Sequence, residues 1–132
     1  MVTNFTNGSG SAMPQGSPIS KTGVSNQISL TDPTNETSVR SMVGVAQYRI
    51  AASTLGPGLT YGRLEVLTGY SFSIGDAIYV GIGGILQNVK PDYGVTGFAA
   101  GDWVVFVGVI CQNELNPSDQ DLMVMPQIIG QL

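Results

Sequence analysis

Glycine interrupts the apolar runs of this chain too often for an amphipathic helix to form. The 132 residues include 18 glycines, and no window of about 12 residues repeats its apolar positions at the helical period. Between the glycines lie short segments rich in Val, Ile and Tyr, residue types that suit a pleated, half-buried surface. The fold class that follows is all-β: a small sandwich or barrel of short antiparallel strands.

The strand pattern is confined to residues 39–132. Residues 43–51 are predicted as a strand, with Val45, Gln47 and Arg49 alternating against Ala46, Tyr48 and Ile50. Gly56-Pro57-Gly58 is expected to turn the chain into a second strand over 59–67. Gly75-Asp76 opens a strand over 77–82, Gly83-Gly84 forms a tight hairpin, and 85–89 returns. Pro91-Asp92-Tyr93-Gly94 is a further turn. Gly101-Asp102 then opens the most apolar segment, 103–112, and 122–129 closes the domain, with Pro126 marking a break or an edge. Residues 39–43 are read as a short turn. The repeated Gly-Asp before an apolar strand reflects shared turn chemistry: glycine for the backbone angle, aspartate for the cap.

Residues 1–38 have a different texture. Asn7-Gly8-Ser9-Gly10-Ser11, then Pro14, Gly16 and Pro18, cannot bury enough apolar area to fold alone. This segment is expected to be an extended polar arm whose isolated apolar side chains, Phe5, Ile19, Val24, Ile28 and Leu30 with Met13, drop singly into pockets on a partner. Two units result: an arm over 1–38 and a β domain over 39–132.

Charge and composition exclude several functions. There is no histidine, the commonest general base near neutral pH. The net charge is −4, and the five Lys and Arg residues are scattered, so a nucleic-acid partner is not expected, nor an anionic membrane surface. No stretch reaches the ~20 apolar residues of a membrane span, and the first residues lack the basic and apolar regions of a signal peptide. The single Cys111 allows no internal disulfide and fits a reducing cytosol. Charged residues make up 11% of the chain against ~25% in a typical globular domain, which points to a surface hidden in an assembly.

The candidate chemical groups have plainer roles. Asp76 and Asp102 form a carboxylate pair of the kind glycoside hydrolysis needs, but both follow glycine at strand starts and read as turn caps. The loop 113–121 gathers oxygen ligands without the pattern of an EF-hand and reads as a solvated connection. Cys111 has no base to activate it and reads as a small hydrophobe. Gly81, Gly83 and Gly84 precede neither Lys-Ser/Thr nor a helix and form no phosphate loop. No catalytic group, cofactor or metal is called for. Among the aromatics, Tyr70, Tyr93 and Phe98 fall in predicted loops and are the candidates for exposed contacts, Tyr93 and Phe98 above all.

The opening Asn4-Phe5-Thr6-Asn7-Gly8 resembles the start of small virion proteins of tailed bacteriophages, and residues 121–132 resemble their C-terminal strand. Gly75-Asp76-x-Ile78-Tyr79-Val80, the Gly-Gly turn, and Val105-Phe106-Val107-Gly108-Val109-Ile110 resemble a β module of phage head-decoration and fibre proteins. The resemblance implies a non-enzymatic, β-rich, capsid-bound module with an extended arm. It would be made in the host cytoplasm, placed on the capsid surface, and bound to the major capsid protein or other virion proteins. A homo-oligomer is implied, a trimer favoured. The competing expectation is a fibre or tail-tip module that contacts host glycan through its loop aromatics. A small hydrolase would need a nucleophile and base that the sequence does not offer.

Overall fold

The computed structural model describes residues 1–132. Its ten strands form two sheets. The first is a closed barrel of β1 (Val2–Asn7), β3 (Gln27–Leu30), β2 (Pro18–Lys21), β4 (Met42–Ala46) and β5 (Leu55–Leu59), in that spatial order. The second is an open five-stranded sheet in the order β6 (Gly62–Leu64), β10 (Gln120–Gln131), β9 (Trp103–Gln112), β7 (Ala77–Gly81) and β8 (Ile85–Gln87). Pairing is antiparallel except between β1 and β3, which run parallel. One short helix, α1 (Glu36–Arg40), is capped by Asn35, whose side chain accepts from Ser38 N–H.

The all-β expectation holds, but the polar arm does not exist. Residues 1–38 supply three of the five barrel strands. Phe5, Met13, Ile19 and Ile28 point into the barrel and pack with Ala46 and Ile50. The reason is geometric. An eight-stranded barrel is already just filled by its own side chains, and five strands enclose less. Phe5, Ile19 and Ile28 from β1, β2 and β3, with Ala46 of β4 and with Met13 and Ile50 from the connections, are enough to fill it, so isolated apolar residues in a polar sequence make a complete core. Burying each contributes about 1.5–3 kcal/mol.

Gly56-Pro57-Gly58 is likewise not a turn. It lies inside β5, between β1 and β4. A Cβ at Gly56 would stand 2.6 Å from Ile50, and one at Gly58 within 2.9 Å of Ile19 and Phe5. These glycines make room for the barrel core. The segment predicted as 43–51 ends at Ala46, and that predicted as 59–67 is divided between β5 and β6. The turn expected over 39–43 lies instead within α1 and the start of β4.

A second, larger core joins the two sheets. From the barrel side come Val39, Val45 and Leu59. From the open sheet come Ile78 and Val80, Leu86, Val105, Val107 and Ile110, and Leu122 and Val124. Strand β4 serves both cores, with Ala46 inside the barrel and Val45 outside it.

The Gly-Asp echo is real in three dimensions. Asp76 accepts from Ser73 N–H, and Asp102 from Ala99 N–H, both at 2.9 Å. The intervening Gly75 and Gly101 have φ of 91° and 92°, where only glycine sits without strain. Both carboxylates are turn caps, as their sequence context implied.

Two outcomes test this architecture. Ile19→Ala is expected to destabilise the protein by about 2–5 kcal/mol in urea unfolding. A chain starting at Thr37 is expected to lose cooperative unfolding by circular dichroism, because the barrel cannot close without β1 to β3.

Candidate interaction surface

One face of the open sheet is covered by the barrel, and the other is not. Side chains alternate along a strand, so the residues opposite those of the shared core line the outer face. The register places them in rows. Ala77, Val109, Met123 and Arg63 form one row across four strands. Gln87, Tyr79, Phe106 and Gln127 form the next. Tyr79 and Phe106 meet edge to face, with centroids 5.9 Å apart at 75°. Ile85, on the outermost strand, is 50% exposed.

Register shifts in β9 and β10 allow this arrangement. The β7–β9 pairing slips between Ile78 and Tyr79, and the β9–β10 pairing slips around Pro126. At Gly108 any Cβ would strike the Met123 carbonyl, so the two longest strands approach closely there. Proline removes a ladder donor and is tolerated at such irregularities.

The only charged side chain in the two rows is Arg63, and it is neutralised at the corner of the sheet. Its Nη1 lies 2.8 Å from Asp121, and Glu114 stands 3.7 Å away. The Asp121 side chain has no exposed surface. Burial pushes its carboxyl up, but hydrogen bonds from Asn113 Nδ2, Val66 N–H and Arg63 outweigh that cost and hold it below the usual carboxylate range. Arg63 is raised in turn, chiefly by its hydrogen bond to Asp121.

The loop 113–121 is therefore anchored rather than a free connection. Asn113 and Asp121 are buried at its two ends, and Asn113 Oδ1 accepts from the N–H groups of Leu115 and Asn116. The oxygens of Asp121 serve Arg63, Val66 and Asn113, and no three acidic or thiol side chains of the chain converge as a metal site.

A cleft of about 310 Å³ opens near the end of the outer face, where Lys90, Pro91 and Asp92 approach Val104, Ile129 and Leu132. Tyr93, in the adjoining loop, is 72% exposed. It is the one predicted loop aromatic that stands free. Phe98 is 2% exposed. It sits in a turn where Gly94 N–H donates to its carbonyl, and it cannot serve as an exposed contact. Tyr70 is half-buried, stacks on Phe72 at 5.1 Å, and its hydroxyl accepts from Leu86 N–H.

The predicted arm contacts scatter in the same way. Phe5, Ile19 and Ile28 belong to the barrel core, and Leu30 is half-buried beside it, against Gly84. Only Val24, between β2 and β3, is exposed. The expected set of interface residues is not brought together. The outer-face residues were missed, although the apolar run Trp103 to Ile110 carried the signal. A strand with one covered face alternates, and one that is apolar throughout is built for cover on both faces.

The surface offers aromatic and aliphatic groups with the amides of Gln87 and Gln127. Aromatic residues are enriched in protein–protein interfaces relative to the rest of a protein surface. No family model, curated protein or solved structure matches the chain.

The Asp121 geometry gives a pH prediction. Its carboxyl is depressed in the native state, so its stabilisation is full above the unfolded value of ~3.9 and is lost as the pH falls toward the native one. Asp121→Asn is expected to cost about 1–3 kcal/mol at neutral pH and to flatten the acid limb of a stability–pH curve measured by denaturant titration.

Proposed function

We propose that this chain is a virion structural protein, a capsid decoration protein of a tailed bacteriophage that binds the assembled head. The observation that carries the assembly part is the largely apolar outer face of the open sheet, whose one charged row member, Arg63, is paired with Asp121 and whose opposite face is already filled by the barrel. The virion setting is supported by the resemblances at residues 4–8, 75–80, 105–110 and 121–132.

The folding of residues 1–38 into the barrel changes how binding would work. Attachment falls to the sheet face, with Phe106 and Tyr79 at its centre, and to Tyr93 beside it. A protein that binds only the assembled shell stabilises it by mass action, and repetition over the shell adds multivalency to individually weak contacts.

Purified virions from infected cells are expected to contain the chain in a fixed ratio to the major capsid protein. The recombinant protein is expected to co-sediment with empty shells and not with unassembled subunits, and Phe106→Lys is expected to lose at least tenfold in shell affinity, roughly 1.4 kcal/mol. Absence from virions, or binding to host cells in place of shells, would overturn this function.

A further inference from the structure

Strand β10 is twelve residues long, but only part of it has neighbours on both sides. Strand β9 pairs with it from Gln120 to Gln131. On the other side β6 pairs only with Leu122, Met123 and Val124. From Met125 to Gln131 no strand is hydrogen-bonded on that side, although α1 and the start of β4 approach Pro126 and Ile128.

Monomeric β proteins guard an edge of this kind with charge, brevity or a covering element, because unpaired N–H and C=O groups recruit another strand. Here charge and brevity are missing as guards, and Pro126 with the register shifts between Val124 and Gln127 and between Ile128 and Gly130 are what remain. No side chain from Leu122 to Leu132 is charged. Met125, Ile128 and Ile129 are 40%, 42% and 51% exposed. Pro126 removes a single donor near the start of the open stretch. Beside the edge lies a cleft of about 200 Å³, lined by Val39, Met42, Val105, Pro126 and Ile128, where an apolar side chain of an added strand can sit. The charge at its rim, Arg40, is held by Glu36 at 2.9 Å and lies over the Trp103 ring.

Length selects the occupant. The barrel is closed and has no edge to offer. The remaining open edges of the molecule, along β6 and β8, belong to strands of three residues each. The one partner surface of this chain that matches the open half of β10 is the same half of a second copy, and an uncharged edge meets its own copy without repulsion.

We propose that two copies pair antiparallel through Met125–Gln131 about a two-fold axis, joining their open sheets into one continuous sheet. The contact is isologous, the same patch on both subunits. It goes beyond the capsid function and does not depend on it, since it belongs to the free protein. It also replaces the trimer expected from the sequence, because a single isologous edge closes at two copies.

Light scattering on the full chain tests the pairing. The expected mass is twice that of one chain, and it is expected to halve in Ile129→Lys, which installs the lysine guard, with the far-ultraviolet circular dichroism unchanged. If that variant does not fold, hydrogen exchange on the wild-type protein decides. Amides within residues 127–131 are expected to be protected at high concentration and to lose protection on dilution. A monomer at every concentration, a trimer, a folded Ile129→Lys that remains dimeric, or edge amides indifferent to dilution would each overturn the proposal.

Discussion

The closing of the barrel by β1 against β5 is the contact on which the rest depends. It works because Gly56 and Gly58 leave the inner wall of β5 bare where Ile50, Ile19 and Phe5 need the space. A side chain at either glycine would overfill an interior with no slack, and overpacked cores cost about 1–3 kcal/mol or rearrange. With β1 in place, β4 is held between β2 and β5, and its Val45 is fixed facing the open sheet. The second core is built on that placement.

The two cores divide the work unevenly. The barrel fills itself with few residues and contributes a wall. The open sheet needs that wall, since a single sheet has two faces to cover. It receives cover on one face from Val39, Val45 and Leu59. Its other face, with Tyr79 against Phe106, is left without that cover. That asymmetry is the feature on which the proposed docking rests.

The sheet was largely legible from sequence. Strand β9 coincides with the apolar segment predicted over 103–112, and the hairpin at Gly83 and Gly84, with φ of 89° and 74°, follows from residue type. Both depend on local signals, apolar runs and positive φ. The barrel was not legible, because its signals are non-local. Phe5, Met13, Ile19 and Ile28 look like strays until their strands are brought side by side, and glycine in β5 looks like a turn until its neighbours across the barrel are known. The outer surface was half legible: the unbroken apolar run of β9 was visible, but which residues line up across the face depends on a register that shifts at Val107 and around Pro126. The anchoring of the 113–121 loop by Asp121 was hidden for the same reason, since Arg63 lies far away along the chain.

The placement of β1 also governs the order in which the protein can form. Strand β1 precedes its partners in sequence: its parallel neighbour begins at Gln27 and its antiparallel partner at Leu55. The first stretch of chain therefore has no stable local structure to enter, and its closure waits on contacts distant in sequence. Loop-closure entropy must be met before those contacts reward it, which makes folding of such topologies slow. Strand β10, the last of the ten in sequence order, completes the open sheet between β6 and β9. All five barrel strands lie within residues 2–59, whereas the open sheet waits on β9 and β10, so the barrel can close first and the sheet then folds onto a finished wall.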